Sequence, residues 1–355
     1  MNIPSGDPPQ LFFSPHHTPP PRSSLRRRLV AISGWCCLVL ALGLWGVLRF
    51  ADSWPVATVV MFAPLHLVAL LPGALLVVAA AFHRRALRTL VPAFVITVGP
   101  VAEFCVPWAG ASADGVPTGA RLRVLTCNAH YARMSAAPLE ALVADARPDV
   151  VVLQEWNSKN RSEVLTAPEW HTHRDSGHFL ASRYPIRRVE PLGNQSAGTQ
   201  GSVTRYALDA PAGAVTLFSV HLASPRDGLS EVAKGGTFGF DNILANSELR
   251  WIQSRNLADW AGRVDGPVVL AGDFNTPPHS DIFRQVWGEY ENAFASAGWG
   301  WGHTFIVRVA AVRIDHVLVG GGGRASACWV GPNIGSPHRP VIADVAWPVG
   351  GLKAP

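Results

Sequence analysis

The chain has 355 residues, 48% of them hydrophobic and only 15% charged, with a net charge of +5. That length exceeds the usual single domain, so the chain should divide. Much of the positive excess sits in Arg22, Arg26, Arg27 and Arg28 beside an apolar run, which makes it a membrane-topology signal rather than a nucleic-acid footprint. The five cysteines lack CxxC-like spacing, which argues against a disulfide framework and a zinc site.

Residues 1–24 are rich in Pro, Ser and His without an apolar period and read as a disordered tail. Leu29–Phe50 is a nearly uncharged run of about the twenty residues that span a bilayer. Pro55–Phe82 is a second run, and Leu90–Trp108 a third, weaker one containing Pro92, Pro100 and Glu103. Three successive runs favour retained spans over a cleaved signal peptide. Residues 25–109 are therefore expected to be an all-α membrane anchor of about three transmembrane helices. Arg26–Arg28 and the His83–Arg88 loop are basic, whereas Ala51–Trp54 has no Lys or Arg. The positive-inside rule then puts the N-terminus and the 83–89 loop in the cytoplasm and everything after the third span on the extracytoplasmic side of the inner or plasma membrane; a third segment that is only interfacial would instead put the domain in the cytoplasm. Residues 110–120 are a flexible linker by composition.

A soluble domain is expected over residues 121–350. Arg121–Asn128, Val150–Glu155, His178–Pro185, Val268–Asp273, Arg313–Val319 and Pro340–Ala346 read as strands, and Val203–Leu208 with Ala214–His221 as a hairpin. Pro138–Ala146 and Ala245–Ala261 read as helices, the second with Leu249, Ile252, Leu257 and Trp260 on its apolar stripe. Many strands with few, widely placed helices predict an α/β sandwich rather than regular βαβ alternation. The Gly-rich stretch Ser224–Asn246 reads either as a mobile loop or as a cover carrying Arg226, Lys234, Phe238 and Phe240. His316 is expected to face outward.

Several of these strands carry a polar group near one end: Asn128, Glu155, His221, Asp273 with Asn275, and Asp315. His338 follows in a loop. Each alone is ordinary, but carboxylates, amides and histidines recurring at strand ends suit a hard divalent cation and a phosphate ester. Oxygen ligands point to magnesium, with manganese as the alternative.

The stretches LTCN128, DVVVLQE155, FLASRYP185, FSVHL222, VVLAGDFNTP277, RIDHVLV319 and SPHRPV341 together resemble the endonuclease/exonuclease/phosphatase superfamily, across the whole soluble domain and in the family's order. The resemblance implies two packed mixed β-sheets flanked by helices, a DNase I-like sandwich, and metal-dependent hydrolysis of phosphate esters. It implies Glu155 as principal magnesium ligand with Asn128 beside it. Asp273 would orient or deprotonate the attacking water, and Asn275 and His221 would donate to phosphoryl oxygens. His338 would face the scissile phosphate, held in its tautomer by Asp315. The family usually has Asp directly before the last histidine, where this chain has Pro337; with the other motif residues intact, an active enzyme is expected.

Gly99-Pro100-Val101 and Ala297–Gly300 resemble the membrane-anchored branch of that superfamily. The anchor makes a lipid-linked or envelope phosphate ester the expected substrate. A surface-tethered nuclease is the alternative, against which the lack of a Lys/Arg-dense face argues. A catalytically impaired membrane scaffold is a third reading, and no obligate protein partner is indicated.

Overall fold

A computed structural model of the full chain describes residues 22–107, 119, 121–131, 134–175, 177–192, 201–210, 213–308 and 310–348. Nearly all of the expected tail and linker lies outside these residues. The described residues begin with a long helix, α1 (Arg22–Leu48), which includes the last residues assigned to the tail. A short α2 (Pro55–Met61) follows, then a 3-10 turn (Leu65–Ala69) leading into α3 (Leu70–Phe82), and α4 (Leu87–Ile96) running into a π-helical turn (Thr97–Val101).

Two stretches, Leu25–Leu48 and Leu65–Phe82, are long and apolar enough to cross a membrane. The second expected run is thus not one helix: Pro64, which cannot donate and clashes with the preceding turn, breaks it. The third is shorter than expected. Its regular helix has 10 residues and its π turn 5, with Pro100 inside that turn, and the chain leaves helical geometry before Glu103. Leu25, Ile32, Trp35, Leu71, Val77 and Phe82 point outward and are exposed, an apolar surface of a kind that soluble monomers rarely present.

The remaining strands run β1 (Arg121–Asn128), β2 (Val150–Gln154), β3 (His171–Asp175), β4 (His178–Ser182), β5 (Ile186–Pro191), β6 (Ser202–Ala210) and β7 (Gly213–His221). After them come β8 (Val268–Asp273), β9 (Glu291–Asn292), β10 (Phe305–Val307), β11 (Ala310–Val312), β12 (Asp315–Gly320), β13 (Arg324–Val330) and β14 (Val341–Ala346). They form two six-stranded sheets, β13-β14-β1-β2-β4-β3 and β5-β6-β7-β8-β12-β9, with β10–β11 a separate hairpin. Both sheets are mixed: β1–β2 and β7–β8 are parallel, while β1–β14 and β8–β12 are antiparallel.

Alternation along each strand divides the apolar residues between two faces. Val124, Val150 and Val152 meet Leu217, Val269 and Val317 between the sheets. Leu125, Val151 and Leu153 instead face α5 (Ala136–Ala146) on the outside of the first sheet. Burial on both faces explains why the strands read as unbroken apolar runs, each fully buried side chain being worth about 1.5–3 kcal/mol.

The Gly-rich stretch is helical rather than a loop. It forms α6 (Arg226–Ala233) and the first turns of α7 (Phe238–Gly262), which therefore starts before the expected residue 245. Gly228 and Gly239 serve close packing: a Cβ on Gly239 would lie 2.8 Å from the Gly228 carbonyl oxygen and 2.7 Å from the Val232 nitrogen. The buried stripe of α7 is Ile243, Ser247, Arg250, Ser254, Leu257 and Ala261, while Ile252 is 50% exposed. Leu257 is buried and Trp260 partly buried as expected, but Ser247, Arg250 and Ser254 take the other core positions of the stripe. His316 is likewise not outward-facing. It does point away from Asp315, but that face is covered by Phe274 and Phe283, the latter on α8 (Asp281–Val286), and its Nε2 bonds the Thr276 carbonyl at 3.0 Å.

The bundle and the sandwich share a core. Leu48, Met61, Phe62 and Val101 pack with Val312 and Ile314, with Phe305 against the same cluster. Among the described residues, acidic side chains of the bundle pair with basic ones of the sandwich across this seam. Asp52, in the turn after α1, lies 3.2 Å from Arg250, and Glu103 lies 3.4 Å from Arg313 and 3.3 Å from His279.

Candidate active site

One edge of the sandwich collects the polar strand ends. His221 on β7 is in register with Asp273 on β8, and Asp273 with Asp315 on β12. Adjacent strands are about 4.8 Å apart, so the three side chains form one row. Gly272 permits the row. Its φ is +147°, and a Cβ there would sit 2.0 Å from the Val220 carbonyl oxygen, so only glycine lets β7 and β8 close up beside Asp273. Across the sandwich, the β1–β2 register sets Asn128 opposite Gln154 and brings Glu155 just beyond it.

Asn128 joins the two sheets. Its Nδ2 donates to Glu155 Oε1 and to Asp273 Oδ2, each at 3.0 Å. Its Oδ1 accepts from the His130 N–H at 2.8 Å, which fixes which way the amide points. Glu155 and Asn275 both hold left-handed backbones, with φ of +51° and +49°, a conformation that non-glycine residues adopt sparingly and that clusters at functional positions. The Asn275 N–H donates to Asp273 Oδ1 at 2.9 Å.

His338 arrives from a loop that is tied down on both sides. Ser336 Oγ donates to the Asn128 carbonyl at 2.7 Å, the His338 N–H donates to that Oγ at 3.1 Å, and the Ile306 N–H donates to the Pro337 carbonyl at 3.0 Å. His338 Nδ1 bonds Asp315 Oδ2 at 2.9 Å, and Nε2 lies 3.8 Å from Asp273 Oδ2. Burial raises the Asp273 carboxyl pKa and Asp315 adds to it; His338, His221 and the Asn128 amide oppose, leaving it at about 6. Burial alone would lower the His338 pKa, but Asp315 and Asp273 outweigh it and push it up to about 9. The pair therefore offers a cationic donor next to a carboxylate poised near neutrality, the combination that general acid–base and phosphoryl chemistry use.

His221 Nε2 lies 3.4 Å from Glu155 Oε1, and both line a cleft of about 950 Å³ together with Tyr131, Trp156, Arg174 and Arg226. Thus Asn128, Glu155, His221, Asp273, Asp315 and His338 converge. Asn275 shares the turn, but its Nδ2 donates to the Leu222 carbonyl at 2.9 Å, into the protein rather than the cleft.

Two neighbours escape a reading by motif. His178 is fully buried between Ser219 Oγ at 2.6 Å and Ser202 Oγ at 2.7 Å. Burial, with a contribution from His221, lowers its pKa to about 3, so it braces the floor as a neutral ring. Its signal was a histidine opening an otherwise apolar strand. Arg250 Nη1 donates to the Asn275 carbonyl at 3.2 Å, and its signal was a cation at the buried spacing of α7.

The donor set fits a divalent metal. Ligand atoms of Asp273, Asp315 and His338 lie within 4.8 Å of one another, but the cationic His338 is bonded to Asp315 and leaves the carboxylates as the donors, with Glu155 joined to Asp273 through Asn128. Carboxylate oxygens suit magnesium or manganese better than a thiolate-seeking ion. The nearby Cys127 is no thiolate: burial, with Asp315 and Asp273, pushes its pKa well up.

Among solved structures, the chain is similar to an endonuclease/exonuclease/phosphatase from Beutenbergia cavernae DSM 12333 (21% identity, 64% of this chain and 72% of that one, TM-score 0.48). It is similar to D. rerio TDP2 complexed with single strand DNA product (14%, 64% and 99%, 0.49) and to TDP2 from C. elegans (15%, 76% and 90%, 0.49). No curated protein matches the chain. Two mixed sheets flanked by helices are the DNase I-like fold, and the Endonuclease/Exonuclease/phosphatase family matches residues 125–338. That match runs from inside β1 to the loop histidine and takes in every strand end that meets at the cleft. Over this span, which is more than half of its length, the chain belongs to the endonuclease/exonuclease/phosphatase family.

Proposed function

We propose that the protein is a membrane-anchored, metal-dependent phosphoesterase, of a membrane-anchored branch of its family, acting on a lipid-linked or envelope phosphate ester. The observation that carries the substrate class is Phe305. It packs into the cluster formed by Leu48, Met61 and Phe62 of the helical bundle, and its ring centroid lies 4.9 Å from that of His338. One side chain therefore separates the bundle core from a site histidine, as suits a substrate whose ester stays at the membrane surface. Exposed Trp54, Ile306 and Val307 fit an interfacial position on the same side.

The turn bearing Asp52 and the segment bearing Glu103 both meet the sandwich, whereas the basic residues near the start of α1 and in the His83–Arg88 loop belong to the opposite ends of their helices. The positive-inside rule then supports an extracytoplasmic catalytic domain. An alkaline-phosphatase reporter fused to the C-terminus should be active; an inactive fusion reverses this orientation.

Glu155, with Asp273 reached through Asn128, would hold magnesium or manganese, and the ion would neutralise charge building on the phosphoryl group. Asp315 holds His338 Nδ1, so Nε2–H is free to donate toward a phosphoryl oxygen. Asp273 orients the attacking water or accepts its proton. His221, beside Glu155 on the cleft wall, donates to a second phosphoryl oxygen.

The test is hydrolysis by the full chain in lipid, with magnesium, of a polyprenyl diphosphate, a phospholipid, bis(p-nitrophenyl) phosphate and plasmid DNA. Turnover of a lipid ester with no nicking of DNA supports the reading. DNA nicking alone rejects the lipid substrate, and inactivity on every substrate with both metals rejects the enzyme.

A further inference from the structure

We propose that Asp52 and Arg250 are a positioning pair through which the turn after α1 fixes the Asp273–Asn275 turn, making the helical bundle a working part of the active site rather than a tether. This rests on reading that turn as catalytic. Arg250 distributes its donors among separate partners. Nε donates to Asn246 Oδ1 at 2.9 Å, Nη2 to Ser247 Oγ at 3.1 Å and Nη1 to the Asn275 carbonyl at 3.2 Å, while Asp52 Oδ1 lies 3.2 Å from Nη2. The rigid guanidinium fork serves these acceptors together, which a lysine ammonium cannot.

Asp52 is itself placed at a cost. Its φ is +72°, its N–H donates to Thr58 Oγ1 at 2.8 Å, and its Oδ2 accepts the Ile282 N–H at 3.3 Å. Both side chains of the pair have 0% exposure. Apolar residues of similar volume commonly hold such an interface at least as well as a buried ion pair, and Leu48, Ala51 and Met61 already pack there. What the pair adds is a fixed carbonyl. Arg250 holds the Asn275 carbonyl while the Asn275 N–H, in the preceding peptide group, donates to Asp273 Oδ1, so Arg250, ion-paired to Asp52 at 3.2 Å, and Asn275 link the anchor turn to the Asp273 carboxylate.

The test uses the full chain in lipid nanodiscs with magnesium and bis(p-nitrophenyl) phosphate, comparing Asp52→Asn, Arg250→Met, Arg250→Lys and the double variant Asp52→Asn/Arg250→Met. Each of the first two should lower kcat by at least about tenfold with KM within about twofold, because small misplacements at a reacting centre are costly. Amide exchange at residues 272–276 should quicken while that at 150–154 does not. Arg250→Lys should recover part of the loss. The double variant should regain thermal stability but not kcat, whereas a merely structural pair would regain both. Wild-type kcat in the double variant, or unchanged exchange at 272–276 in Asp52→Asn, overturns the proposal. Exchange needs no substrate, so a wild-type chain inactive on the probe rejects the phosphoesterase reading while exchange still decides the pair.

Discussion

Among the described residues, two clusters of buried charge behave oppositely. At the sheet edge, Asp273 and Asp315 crowd around His338, and the carboxyl and imidazole pKa values move to about 6 and about 9. At the seam each carboxylate meets a guanidinium. Burial raises the Glu103 pKa, yet His279 and Arg313 outweigh it and bring it below the ordinary carboxylate value. Beside the first cluster Glu155 and His221 line an open cleft of about 950 Å³, whereas Glu103, His279 and Arg313 of the second border a pocket of about 20 Å³. Burial of charge is common to both, so it does not mark a site. Incomplete neutralisation beside a cleft does.

The comparison breaks first at the seam. Arg250→Met leaves Asp52 buried without a countercharge, which should cost about 3–5 kcal/mol, read as a shift in the denaturant midpoint in detergent. A fragment lacking residues 1–108 loses Asp52 and Glu103 together and should not fold stably; a stable, active fragment would show the seam to be dispensable.

At the sheet edge the expected loss is in rate rather than stability. Glu155→Gln and His338→Ala should each slow hydrolysis by at least about a hundredfold, or about 2.7 kcal/mol, while melting within a few degrees of wild type. Near-wild-type turnover by either variant removes the assignment.

The pH dependence of stability tests the neutral histidines. Burial lowers the His178 pKa to about 3 and, with Arg313 contributing, the His316 pKa to about 4. A histidine whose folded pKa lies below its unfolded value binds fewer protons when folded, so its contribution is complete above pH 6.5 and lost as pH falls toward the folded value. Each should remove at most about 1.4 kcal/mol per pH unit below 6.5. His178→Gln should flatten the fall in melting temperature between pH 6 and 4; an unchanged slope would mean that His178 is charged in the fold.

The smallest effect concerns Pro337. Its carbonyl accepts from Ile306, a bond that any residue could keep. Pro337→Asp adds a carboxylate directly before His338 and should lower the magnesium concentration for half-maximal rate by only a few-fold, since Glu155, Asp273 and Asp315 already supply carboxylates.

The active-site row was legible because each member ends an apolar β-branched run with a group that such a run does not need. The polar edge strand β3, whose sequence is HTHRD, carries no alternation and was invisible. The α7 stripe misled for a physical reason: Arg250 sits at core spacing because Asp52 neutralises it, and no local pattern links positions 198 residues apart (250 − 52). His316 misled because alternation gives the side of a strand but not what covers that side. Gly228 and Gly239 looked like flexibility and are contacts.

Under the proposed membrane anchoring, the unequal lengths of the bundle helices would bear on the surrounding lipid. α1 has 27 residues, about 40 Å at 1.5 Å per residue, whereas α4 and its π turn together have 15 (10 + 5), about 22 Å. A hydrocarbon layer is about 30 Å thick. A bilayer closing around this bundle must thin on the α4 side or tilt the bundle toward it. Thinning would draw headgroups toward the seam below Phe305, so membrane thickness itself would set how far a lipid ester must rise to be cut.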